Sequence, residues 1–169
     1  MLLTFLDAAP RRVLLALGMT SIAMLGFGLY LQHVVGLNPC PMCIVQRYAL
    51  ILVAIIAGLT SLSNRRGPQL AGVILATMTA LGGAFVAARQ SWLQWYPPQE
   101  ASCGRDLYGM IETFPLKRAI PMIFKGSGDC TAVDWTFLGG SLANWSFVVF
   151  SAIILLCSLL IWRRVRAWA

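Results

Sequence analysis

The chain has 169 residues, 59% of them hydrophobic and 11% charged, with 13 Lys and Arg against 6 Asp and Glu and a mean hydropathy of +0.75. That composition lies outside the range of soluble globular domains and describes an integral membrane protein. The net charge of +7 belongs to topology, since the arginines stand in pairs at the ends of apolar stretches; a nucleic-acid-binding or phosphate-binding role is excluded on that ground.

Four stretches, at residues 13–31, 44–62, 70–88 and 145–162, are apolar enough and near enough to twenty residues to cross a bilayer. The expectation is an all-α chain of four transmembrane helices forming one integral membrane domain over residues 1–169. The first stretch, behind Arg11 and Arg12, resembles a secretory signal, but its apolar core is too long, so it is expected to remain as a span. Arg11, Arg12, Arg65, Arg66, Arg163, Arg164 and Arg166 all flank one face, with Asp7 as the one acid beside them, which makes that face cytoplasmic and puts both termini there.

The first outer connection, residues 32–43, contains the sole histidine, His33, read as an imidazole at the headgroup level rather than a proton carrier. It closes with Asn38-Pro39-Cys40-Pro41-Met42-Cys43, and Ile44-Val45-Gln46-Arg47 follow at once. Two cysteines two residues apart, where a loop becomes an apolar helix, put a thiol pair at the lip of the membrane. Cys43 falls in the first helical turn, where unpaired N–H groups and the positive end of the helix dipole stabilise a thiolate. Arg47, four residues on, shares that helix face and adds a fixed positive charge.

Span two ends at a turn with breakers, Ser63 to Pro68. Span three carries Gly82, Gly83 and Ala84, small residues that let helices approach closely, and leaves the membrane at an anchoring belt of Trp92, Trp95 and Tyr96. The second outer connection, residues 89–141, is 53 residues long, a length that usually marks function. Within it, residues 114–124 set Pro115, Lys117, Arg118 and Pro121 among Leu116, Ile120, Met122 and Ile123; this is too short to span and is expected to lie in the interface. Trp135, Phe137 and Leu138 lead back to span four.

Cys40, Cys43, Cys103 and Cys130 all fall in the two outer connections, which agrees with the charge pattern and implies an oxidising compartment. Cys157, inside span four, is a small apolar side chain. Three readings of the outer four compete. A zinc site needs short paired spacings, and 59 residues separate Cys43 from Cys103 and 26 separate Cys103 from Cys130. Structural disulfides are the serious alternative, for a Cys103–Cys130 bridge would stabilise a long loop by about 3 kcal/mol. A bridge across Cys40 and Cys43, however, closes a ring too small to constrain the unfolded chain, so that pair reads as chemical. Electrons reaching it need an acceptor. One histidine and no nucleotide fingerprint leave little for haem, flavin or nicotinamide, which points to a molecule dissolved in the bilayer, a quinone, with Arg47 polarising its carbonyl oxygen.

Cys40-Pro41-Met42-Cys43 with Arg47, Trp95-Tyr96-Pro97 ahead of Cys103, and Ser127-Gly128-Asp129-Cys130 followed by Trp135-Thr136-Phe137-Leu138-Gly139 resemble the DsbB family, the quinone-reducing thiol oxidases of bacterial inner membranes. The resemblance covers nearly the whole chain. It implies a four-transmembrane-helix bundle with a short interfacial helix in the second periplasmic loop, matched by residues 114–124. It further implies that Cys103 and Cys130 form the disulfide attacked by a reduced DsbA-like periplasmic protein of the thioredoxin fold, with Cys103 taking the partner. Cys130, once released, attacks Cys40 and frees Cys43 as a thiolate against the quinone, ubiquinone or menaquinone. One departure stands out: where some members carry a quinone-holding histidine, this chain has Gln90, which donates a hydrogen bond but carries no proton. Two other functions are weighed. A membrane reductant or quinone-epoxide-reductase relative would place the active pair near the end of a late span. A small transporter would need polar residues along a pathway, and Arg47 is the one charged residue in the spans.

Overall fold

In a computed structural model, residues 10–97, 128–131 and 133–166 are described. Cys103 and the segment at 114–124 expected in the interface lie outside them. The described chain forms α1 (Pro10–His33), α2 (Pro41–Leu62), α3 (Arg66–Trp95), a short α4 (Gly128–Thr131), a two-stranded antiparallel ribbon of β1 (Thr136–Phe137) and β2 (Gly140–Ser141), and α5 (Leu142–Arg166). Four of these helices, α1, α2, α3 and α5, are long and apolar enough to cross a membrane, and together they make the four-span bundle expected.

Local chemistry sets the ends of each helix. Gly36, with φ of +81°, lets the chain turn back after α1, where Leu37 donates its N–H to the Leu31 carbonyl. Pro41 opens α2 behind Cys40, and Ser63 closes it in extended backbone. Pro68 is tolerated in the first turn of α3, where its missing N–H is not needed. No breaker follows until Pro97, so α3 continues two turns beyond residue 88 and carries Arg89, Gln90 and Gln94 as helix rather than loop. Ser141 starts α5, its hydroxyl accepting the Asn144 N–H at 3.3 Å.

The bundle is organised on α3, which packs against both α2 and α5, while α1 packs on α2. Val73, Ala76, Ala80, Ala84 and Ala87 form its buried stripe at near-heptad spacing, facing Leu50, Val53 and Ala57 of α2 and Phe150, Ile153 and Cys157 of α5. Small side chains there permit close approach: a methyl group on Gly83 would lie 2.4 Å from the Phe150 ring. The opposite faces are apolar and exposed, as with Ile55 and Leu59 on α2 and Met78 and Phe85 on α3, which is the inverse of a soluble bundle and fits a lipid solvent.

Polar contacts divide between the two ends of the bundle. At one end Arg11 donates to the Ser61 carbonyl and to Asn64 Oδ1, both at 2.7 Å, and Arg164 donates to Gln69 Oε1. The other end holds the ribbon, α4 and the first turn of α2. A two-residue turn joins the strands, with Leu138 at φ 50° and Gly139 at φ 80°, both in the left-handed region. The Trp145 indole N–H donates to the Phe137 carbonyl at 2.9 Å and seats the ribbon on α5.

Candidate functional site

The start of α2 is built by its prolines. Pro41 supplies the fixed φ of a first helical residue, and Cys40 before it takes the extended N-cap conformation, φ −67° and ψ 160°. The Cys43 N–H then donates to Cys40 Sγ at 3.3 Å, and the two sulfurs lie 2.8 Å apart. A Cys-x-x-Cys pair at a helix start is thus folded so that a disulfide closes with a shift of under about 1 Å.

Gln90 of α3 stands over this pair. Its amide nitrogen is 3.2 Å from Cys40 Sγ and 3.2 Å from Cys43 Sγ. Its oxygen accepts from Gln46 Nε2 at 2.7 Å, and both glutamines are buried. Cys130, fully buried on α4, joins Cys40, Met42, Val86 and Leu93 in a small apolar cluster of its own at this end of the bundle. A hydrogen bond to Cys130, a second to Cys43 and burial together push the Cys40 thiol far above the ordinary cysteine range. Of the reduced pair, Cys40 therefore keeps its proton.

Arg47 lies on the same face of α2, and its guanidinium reaches across to α1. It donates to the Gly28 carbonyl at 3.0 Å and to Gln32 Oε1. These contacts hold the cation at the edge of an open cleft, which Cys40, Cys43, Gln90, Asp134 and Trp135 also line. Leu31, Leu37 and Leu142 supply apolar wall, and Gln94, tied to the Ser141 hydroxyl at 2.6 Å, supplies a further amide.

The structure thus brings together Cys40, Cys43, Cys130, Arg47 and Gln90, five of the six residues expected at the site; Cys103 lies outside the described residues. Three participants escape a reading of the sequence: Gln46, Gln94 and Ser141. A signal for the first exists. Gln46 is an uncharged amide inside an apolar helix, three residues past Cys43, and such a group must find a buried partner.

A family model described as "Disulfide bond formation protein DsbB" matches residues 10–160. The chain belongs to the DsbB family. Proteins named "Disulfide bond formation protein B" resemble it along nearly their whole length. That of Albidiferax ferrireducens is 70% identical over 161 residues, covering 95% of this chain and 92% of its own. That of Polaromonas sp. strain JS666 is 66% identical over 166 residues, covering 98% and 99%. That of Aromatoleum aromaticum is 50% identical over 159 residues, covering 92% and 95%. DsbB membership and the four long apolar helices make this a multi-pass membrane protein of a family whose name implies disulfide oxidoreductase activity.

Proposed function

We propose that this DsbB-family chain is a single membrane-embedded thiol oxidase. It re-oxidises a reduced DsbA-like protein of the thioredoxin fold and passes the electrons to a quinone of the bacterial inner membrane. The single observation that carries the reading is the cleft in which a thiol pair, a donor amide and a cation share one wall at one end of a lipid-facing bundle. Both termini are cytoplasmic in this reading, and the loops bearing the cysteines are periplasmic, in keeping with the arginines at the opposite end.

In the thiol steps, a partner thiolate attacks the Cys103–Cys130 disulfide at Cys103, forming a mixed disulfide and expelling Cys130 as a thiolate. The partner's second thiolate attacks its own half of that bond, leaves the partner oxidised and frees Cys103. Cys130, which touches Cys40, attacks Cys40 Sγ of the Cys40–Cys43 disulfide, so that one S–S bond forms, another breaks and Cys43 leaves as the thiolate. Cys103 displaces Cys40 from Cys130, restoring the first disulfide and leaving Cys40 and Cys43 as the reduced pair. Hydrogen bonds from the neighbouring thiols and burial keep the proton on Cys40, which leaves the negative charge of the reduced pair to Cys43.

The cleft suits a quinone by its donor chemistry. A flat, largely apolar ring with two carbonyl acceptors needs apolar walls and N–H groups, and the cleft offers Leu31, Leu37 and Leu142 with Gln90, Gln94 and Arg47. Arg47 and Gln90 would hold it. A bound quinone supplies a sink for two electrons and two protons. Arg47, fixed by Gly28 and Gln32, stabilises negative charge in the cleft without reorganising.

The test mixes purified protein, ubiquinone or menaquinone, and a reduced periplasmic thioredoxin-fold protein, and follows quinone absorbance. Stoichiometric loss of quinone and of partner thiols is expected. No protein-dependent loss of either quinone would sink the reading.

A further inference from the structure

Gln46 has no role in the steps above. It lies one turn below Cys43 on α2 and is 4% exposed, in a helix otherwise chosen for apolar packing. An amide at that depth costs a few kcal/mol unless it is hydrogen-bonded. Its partner is the side-chain oxygen of Gln90, 2.7 Å away.

The consequence falls on Gln90. A glutamine amide has a donor end and an acceptor end, and half a turn about its last torsion exchanges them. With the oxygen held by Gln46 at 2.7 Å, the nitrogen is the end nearer the sulfurs, 3.2 Å from each, while the oxygen stands back at 3.7 Å from Cys43 Sγ. Exchanged, the same side chain would bring its carbonyl oxygen closer against a thiolate, which repels it. We propose that Gln46 is a positioning residue: it locks the Gln90 amide with its N–H end on the sulfurs and thereby stabilises the thiolate of the reduced pair.

The inference rests on the reading of Cys40 and Cys43 as a redox-active pair. The titratable or charged groups that face the pair among the described residues are Cys130 from α4, Arg47 from α2 and Asp134 from the segment before β1. Of these, Arg47 is engaged with α1 through Gly28 and Gln32. The paired amides add thiolate stabilisation from neutral groups, which salt screens little at a buried site.

The test uses the full chain, reduced, in detergent or lipid. The pH dependence of Cys43 alkylation by iodoacetamide is read by peptide mass spectrometry, and the fold is monitored by circular dichroism. Gln46→Met keeps the length and volume and removes the donor. Its alkylation midpoint is expected to rise by about 0.5–1 pH unit, the equivalent of one net hydrogen bond. In a Gln90→Met background the same substitution should move the midpoint by less than about 0.2 unit, since residues acting through one another are not additive. If Gln46→Met does not fold, Gln46→Asn, one methylene too short to reach Gln90, is read in the same way. An unchanged midpoint in the folded variant, an equal shift in both backgrounds, or a downward shift would each overturn the proposal. Neither quinone nor partner enters this titration, so its failure is distinguishable from failure of the oxidase reading.

Discussion

The amide nitrogen of Gln90 stands 3.2 Å from the sulfur of Cys43, and the two belong to different helices, α3 and α2. The thiol pair is therefore completed by a residue 47 positions away. Gln90→Leu keeps the volume and removes the donor. Thiol–quinone turnover should fall about tenfold, the effect of one hydrogen bond to a charged group. Mixed-disulfide formation with the partner should stay within about twofold, because that step uses other sulfurs. The paired rates, by quinone absorbance and by gel shift of the trapped complex, check this.

Arg47 ties α2 to α1 through two hydrogen bonds and also faces the cleft. Arg47→His shortens the side chain and loses both contacts. Quinone-linked turnover should fall by about tenfold or more, and thermal stability by about 1–3 kcal/mol, since the Gly28 carbonyl loses its donor. Partner exchange measured without quinone should be nearly unchanged. Equal loss of both rates removes Arg47 from the quinone role.

The two sulfur pairs should separate by mutation. Cys43→Ser is expected to leave the partner's mixed disulfide able to form while quinone reduction stops. Cys103→Ser is expected to abolish capture of the partner. Non-reducing electrophoresis with a single-cysteine partner distinguishes the two outcomes.

Gly83 faces the Phe150 ring where α3 meets α5. Gly83→Ala would set a methyl 2.4 Å from ring carbon and force the helices or the ring apart. A loss of about 1–3 kcal/mol is expected from overpacking, read as a lower melting temperature in detergent. Gly82, with open space beside it, is the control: Gly82→Ala should be neutral or slightly stabilising, because alanine is the better helix former.

Much of this was legible in the chain itself, since membrane spans follow from length and hydropathy alone. Cys43 in the first turn of α2 follows from its place where loop becomes helix, and a close helix approach along α3 follows from Gly82, Gly83 and Ala84, although which helix approaches does not. The extension of α3 to Trp95 was harder to see, because hydropathy marks the part of a helix that lies in lipid and not the turns that continue past it. The ribbon at residues 136–141 was hidden for another reason. Its turn requires two left-handed residues, and Leu138 is an unusual occupant of such a position, so the local chemistry gives no hairpin signal there. Gln90, placed in the outer connection, read as a hydrogen-bond donor to a quinone, and Gln46 carried no assigned role. Their pairing is a fact of how α2 sits on α3, which no local pattern encodes.

Between the first helix and the last runs a ladder of aromatic rings. Phe27 meets Trp135 edge-on at 5.8 Å, Trp135 stacks over Phe137 at 6.1 Å, and Phe137 leans on Trp145 at 6.0 Å. Trp135 also lines the cleft beside Cys43. The indole is thus a built-in optical gauge: its emission senses both the ring ladder and whatever fills the neighbouring space, and a light-absorbing occupant would dim it by energy transfer. Occupancy can then be followed in the unlabelled protein as the difference from Trp135→Phe, which keeps the other five tryptophans.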